Sequence, residues 1–228
     1  METINQAGVA AQVIPQSKPF RCKIKHVPVK RTFDLLFSLL ILTLLSPLYF
    51  LIWLSIKLSS RGKAFYSHER VGRGGKYFRC YKFRTMYRDA DKRLKDILES
   101  NPVLQEEWKK NFKLKKDPRI TPVGRFLRKT SLDELPQFWN VLKGDLSVVG
   151  PRPVVQEEID EHFGVKAYKI LSIRPGITGI WQVSGRNDTS YETRIKMDEQ
   201  YVDKHSLFLD IKLVLKTVPC MISSRGAY

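Results

Sequence analysis

The pattern of apolar positions changes character along this chain of 228 residues, and each change predicts a different element. Residues 35–56 are apolar except for Ser38, Thr43, Ser46, Tyr49 and Ser55, and carry no charge. About 22 residues at a rise of about 1.5 Å reach across a bilayer core of about 30 Å, so the run reads as a membrane segment. Ser46-Pro47 stands near its middle, where proline lacks an amide to donate and crowds the carbonyl four residues back, so a break is expected. Two β-prone runs, 64–66 and 77–83, flank Gly72, Arg73, Gly74 and Gly75 and predict a hairpin. Helical patterns at 87–99 and 103–112 meet at Asn101-Pro102, a cap followed by a first-turn proline.

Leu135, Phe138, Trp139 and Leu142 recur at helical spacing behind Pro136. They predict a helix from about residue 134 to a stop at Gly144, with these four side chains buried. Further on, the turn-rich segments 174–179 and Gly185-Arg186-Asn187 flank a short apolar piece at 180–183. Thr189 with Glu192 forms a capping-box pattern for a polar helix reaching about Lys204, whose charges read as a solvated face. In 207–222, Phe208, Ile211, Val214, Leu215 and Val218 share one side opposite Lys212 and Lys216, a face that suits either a core or a membrane interface.

Charge refines the membrane reading. Arg21, Lys23, Lys25, Lys30 and Arg31 precede the apolar run, and Lys57, Arg61 and Lys63 follow it. Orientation normally follows an excess of cations on one side, so cations on both sides place both ends at the cytoplasmic surface. A helix–break–helix that enters and returns satisfies this, since each arm of about 12 residues covers only about 18 Å. The expected organisation is α+β: a polar basic leader (1–29), a re-entrant helix broken at Ser46 and Pro47 (30–60), and a compact cytoplasmic catalytic domain (61–228). That domain would carry amphipathic interface helices and a helical insertion at 91–116. A cleaved signal peptide does not fit, because a charged leader precedes the run and cations follow it. The net charge of +17 suits an anionic membrane surface, and no nucleic-acid-binding fingerprint competes. Cys22, Cys80 and Cys220 are too scattered for a disulfide framework, and the four histidines lack metal-ligand spacing.

The candidate chemistry centres on Asp133 and Glu134. Ser131 three residues before Glu134 matches a capping box, which would explain the acids without catalysis. Arg125, Arg128, Lys129 and Arg152, the last between two prolines, surround the pair with cations suited to a polyanionic substrate. The glycines at 72–75 lack phosphate-loop spacing and read as a turn. Asp89-Ala90-Asp91 precedes Lys92 and Arg93 in a helical pattern and reads as a solvated helix face.

These segments together carry a resemblance. The broken apolar run, V-G-R-G-G-K at 71–76, K-F-R-T-M at 82–86, S-L-D-E-L-P at 131–136, N-V-L-K-G-D at 140–145, V-G-P-R-P at 149–153, R-P-G-I-T-G at 174–179 and G-R-N at 185–187 resemble the bacterial sugar transferases called monotopic phosphoglycosyl transferases. The match runs from about residue 30 to the C-terminus.

The resemblance implies transfer of a sugar 1-phosphate from a UDP-sugar to undecaprenyl phosphate, with release of UMP, at the cytoplasmic face of the bacterial inner membrane. It implies Asp133 as a nucleophile forming a phosphosugar–aspartyl intermediate and Glu134 as a partner in Mg²⁺ binding or proton transfer. Asp133 and Glu134 would together face the Mg²⁺. Arg128, Arg152 and Arg186 match positions expected to hold phosphates, a task suited to a planar guanidinium fork. Lys82 and Arg84 are further candidates, although exposed strand cations need no function. The helical insertion is a feature of the hexose-transferring branch, which points to galactose or glucose phosphate, with an N-acetylated or deoxy sugar as the alternative. Two other classes stay open on the residues alone: a non-catalytic basic membrane-anchored binding protein, and a membrane phosphatase. Oligomeric state is undetermined by the sequence.

Overall fold

A computed structural model of the protein describes residues 28–111, 114, 117–184 and 189–223. Helix α1 (Pro28–Leu44) and helix α2 (Ser46–Ser59) meet at Leu45 with a bend of 61°. The expected break is present, and its chemistry is local. An amide at residue 47 would have bonded the Thr43 carbonyl; Pro47 cannot, and Ser46 Oγ donates to that carbonyl instead at 2.8 Å. No single helix among the described residues is long and apolar enough to cross a membrane, while the bent pair together meets that length and composition. Leu36, Leu39, Leu40 and Leu44 of α1 and Phe50, Leu51 and Leu58 of α2 are exposed.

The opposite face of the bent pair is buried in the rest of the protein. Ile52 and Ile56 of α2 form a core with Ala64, Phe83, Leu127 and Leu135, and Phe33 and Phe37 of α1 pack on a second core built on Val141, Leu146 and Val149. Strands β1 (Phe65–Val71) and β2 (Tyr77–Phe83) form the expected antiparallel hairpin. Gly74 and Gly75, both at positive φ, close its turn. Helices α3 (Ala90–Ser100) and α4 (Pro102–Asn111) follow, and Asn101 Oδ1 accepts from the amides of Val103 and Leu104 as its cap. Helix α5 (Pro122–Thr130) is capped by Thr121, whose hydroxyl accepts from Gly124.

A short 3₁₀ turn, Leu132–Glu134, leads to helix α6 (Gln137–Lys143), which Gly144 ends in the left-handed conformation. The helix starts later than the sequence suggests, and its buried face differs. Trp139 is 56% exposed, while Gln137, Asn140 and Val141 point inward. Burying Asn140 is favourable because its amide accepts from Tyr81 N–H and donates to the Arg79 carbonyl, satisfying the outer edge of β2.

Strand β3 (Ser147–Val149) pairs in parallel with β4 (Gly176–Thr178). Between them lie α7 (Gln156–Glu158), a π-helical turn at Ile159–Phe163 and α8 (Lys166–Ile170). The segment read as a turn-rich loop at 174–179 therefore contains a strand. Its Gly176 N–H donates to the Pro151 carbonyl at 2.7 Å, so that donor is spent inside the fold. A Cβ on Gly176 would collide with the Gly150 backbone, which explains the glycine pair.

Helices α9 (Ile180–Ser184), α10 (Tyr191–Lys204) and α11 (Leu207–Ser223) complete the chain. The cap of α10 is Ser190, accepting from Thr193, not the Thr189–Glu192 box; Arg194 Nε donates to the Thr189 carbonyl and Glu192 pairs with Lys196. Nor are all its charges solvated. Asp198 is buried, accepts the Arg152 backbone N–H, and burial pushes its carboxyl up to about 8. In α11, Leu213 and Val214 face the core, whereas Phe208, Ile211, Leu215 and Val218 are exposed. The helix thus has two apolar sides, one for the core and one for its surroundings.

Candidate active site

Ser131 is the one described non-glycine residue at positive φ, at 57°. This reverses the chain between α5 and the 3₁₀ turn, and such a conformation is costly for a residue with a Cβ. The Ser131–Glu134 capping box does not form: Ser131 makes no side-chain cap, and the Glu134 amide bonds the Ser131 carbonyl at 3.2 Å. The turn presents Asp133 inward, 8% exposed, with Glu134 half-buried beside it.

Strand β2 supplies the counter-charge. Lys82 Nζ donates to Glu134 Oε1 at 2.6 Å. Burial, then the neighbouring Glu134, raises the Asp133 carboxyl to about 6, and Lys82 and Arg128 oppose the rise. Asp133 is therefore a carboxylate at neutral pH with an environment that weakens its solvation, which favours nucleophilic reactivity.

Arg128 reaches the site from the last turn of α5, with Nε donating to Thr85 Oγ1 at 2.9 Å. Arg152 enters from the loop after β3, its guanidinium 5.5 Å from the centroid of the Trp181 ring. Arg84 also lines the cleft, and its side chain is bonded to the chain after α2. Its terminal nitrogens donate to the carbonyls of Ser60 and Arg61 and to Ser60 Oγ at 2.7–2.9 Å, tying down the chain just past the end of α2. Arg186 lies outside the described residues. Asp89 is exposed and pairs with Arg93 on one helix face, as its pattern suggested, while Asp91 reaches the cleft rim.

Asp133, Glu134, Lys82, Arg128 and Arg152 all line one cleft of about 1550 Å³. Its other wall is apolar: Phe37, Ile41 and Leu45 at the bend, with Val214, Val218 and Met221 of α11. Sequence reading missed Thr85, Trp181 and Gln182, which border the same cleft. A threonine inside a strand-end motif and a tryptophan in a short apolar piece carry no periodic signal.

No group of three or more His, Cys, Asp or Glu side chains able to hold a metal occurs among the described residues. The adjacent Asp133 and Glu134 remain a suitable donor set for Mg²⁺, which commonly takes one or two carboxylates and completes its shell with water and substrate phosphates.

The sequence profile of the bacterial sugar transferase family matches residues 25–224. The chain belongs to that family. It is 45% identical to the exopolysaccharide production protein ExoY of Sinorhizobium fredii, over the full length of both chains. It is 50% identical to the undecaprenyl-phosphate galactose phosphotransferase of Salmonella typhimurium, over 88% of this chain and 42% of the relative. A UDP-galactose-lipid carrier transferase of Erwinia amylovora is also 50% identical, over 88% and 42%. This sugar transferase thus spans about two-fifths of those two longer relatives. The family expectation drawn from the motifs is met, and the architecture is α+β as expected.

Proposed function

We infer that this sugar transferase moves a sugar 1-phosphate from a UDP-sugar to undecaprenyl phosphate and releases UMP, beginning a surface glycan. The observation that carries the reading is the two-sided cleft: a nucleophile and cations on one wall, apolar residues of the broken helix and α11 on the other. A water-soluble pyrophosphate and a polyprenyl phosphate can then reach the same carboxylate. The bent pair acts as a re-entrant anchor, with its exposed leucines in lipid and both ends at the cytoplasmic face.

In the first step an Asp133 carboxylate oxygen attacks the phosphorus bearing the sugar. The bond from that phosphorus to the bridging oxygen breaks, UMP departs and a phosphosugar–aspartyl ester remains. In the second step a phosphate oxygen of the polyprenyl phosphate attacks the same phosphorus, and Asp133 leaves as a carboxylate. Lys82, Arg128 and Arg152 offset charge on the transferring oxygens, which is the main demand of phosphoryl transfer. Asp133 and Glu134 would hold Mg²⁺, whose chemistry when bound is to neutralise the pyrophosphate oxygens. The galactose named in two relatives of 50% identity favours galactose phosphate as the group moved.

Intact-protein mass after incubation with UDP-galactose, UDP-glucose and N-acetylated donors, without lipid, tests the scheme. Expected is a gain of one hexose phosphate from UDP-galactose, absent in Asp133→Asn. UMP release only when lipid is added, with no adduct from any donor, would reject the covalent step. No UMP under any condition would reject transferase activity in favour of a binding role.

A further inference from the structure

The cations and polar residues of the membrane segment do not merely flank it. Tyr49, midway along the apolar run, donates its hydroxyl to the Leu135 carbonyl at 2.5 Å, two residues after Asp133. Arg31 donates to the carbonyls of Val141 and Leu142 at 2.8 and 3.2 Å, at the other end of α6. Asp34, fully buried, accepts from the Val148 amide at 3.0 Å and from the Ser147 hydroxyl. Lys30 donates to the Val149 carbonyl at 3.1 Å and pairs with buried Asp210, which also accepts from Tyr201.

All of these bonds except those to Asp210 converge on one stretch. Leu135, Val141, Leu142, Val148 and Val149 lie on the segment running from the nucleophile turn to Arg152. Both arms of the broken helix therefore hold the backbone between the carboxylate and a phosphate-facing guanidinium. Backbone carbonyls offer no side-chain freedom, so each bond fixes the chain position itself. The Tyr49 ring also packs against Phe83 at a tilt of 55° with centroids 5.6 Å apart, next to Lys82, which limits where its hydroxyl can go.

We propose that Tyr49 and Arg31 are positioning residues: the membrane segment is a clamp that sets the geometry of the Asp133 turn, in addition to tethering the enzyme. Displacements of about 1 Å at a reacting group can cost on the order of 10²-fold in rate, so bonds this close to the nucleophile set how fast it attacks. The proposal rests on the covalent transferase reading above.

The test is single-turnover adduct formation, followed by mass, in the full-length enzyme in nanodiscs with the donor that labels wild type. Tyr49→Phe removes one hydroxyl, and Arg31→Lys keeps the flanking charge but loses the fork. Each is expected to slow adduct formation about tenfold while the final amplitude stays at one adduct per chain. Ser55→Ala, which loses a hydroxyl bonded only within α2, is expected to match wild type. Unchanged rates in both variants would overturn the clamp, as would a fall in amplitude at unchanged rate, which is the mark of lost folded enzyme. The wild-type arm judges the covalent reading separately, because absence of any adduct there rejects that reading whatever the variants do.

Discussion

Lys82 Nζ lies 2.6 Å from Glu134 Oε1, so a cation at the Asp133 turn is held by the neighbour of Asp133. This arrangement neutralises Glu134 and leaves Asp133 to titrate against a smaller net negative charge. Lys82→Ala is therefore expected to cut kcat/KM by about 10²-fold through unbalanced acid charge and lost phosphate stabilisation. Steady-state UMP release checks it, and a loss of less than about threefold would remove Lys82 from the site.

The Asp133 carboxyl also makes a stability prediction. Its folded pKa of about 6 lies above the ordinary value of 3.8, so its contribution is fully favourable below about pH 4 and is lost as pH rises through about 6. At pH 8 the ionised, buried group opposes folding by about 3 kcal/mol. Asp133→Asn is expected to raise Tm at pH 8 and to leave it unchanged at pH 4, measured by thermal scans in detergent with EDTA. A larger gain at pH 4 would contradict the sign.

Arg84 and Arg128 are expected to separate cleanly. Arg84 bonds the carbonyls of Ser60 and Arg61 just past the end of α2, so Arg84→Ala should lower Tm by several degrees and leave the donor KM within about twofold. Arg128→Lys keeps a charge but loses the fork, and should raise donor KM about tenfold with little change in Tm. Donor titrations and thermal scans on both variants decide the assignment.

Thr85 orients Arg128 through a single hydroxyl bond of 2.9 Å. Thr85→Val is expected to reduce kcat/KM about tenfold, and Thr85→Ser to restore most of it. Equal activity in the valine and serine variants would show that Arg128 needs no such support.

Local chemistry made much of this fold legible. A missing amide at Pro47 breaks a helix wherever it sits, the Asn101 side chain reaches its own chain's amides, and glycines between β-prone runs close a hairpin. The acid pair and its cationic company were equally readable, because residue type and spacing carry them. The 3.6-residue period, by contrast, marks a stripe without saying what covers it. On α6 the tertiary structure buried Gln137 and Asn140, the second of which satisfies β2 with its amide, and left Trp139 outside.

The sequence by itself determined the broken helix, the hairpin and the helix cap at Asn101, and which residue types can perform phosphoryl transfer, since these depend on neighbours in the chain. Only the tertiary structure decided how the charges are spent. Arg84 ties down the chain after α2, Lys82 is drawn to Glu134, Asp198 is buried beneath the Arg152 loop, and Lys30, Arg31 and Tyr49 grip the backbone between Leu135 and Val149. Those partners are 23 to 119 residues away along the chain for every side-chain bond that Lys30, Arg31, Tyr49, Lys82 and Arg84 make to backbone or to Glu134. A charged side chain bonds whichever opposite charge or open carbonyl folding brings near, and that choice is made by packing in three dimensions.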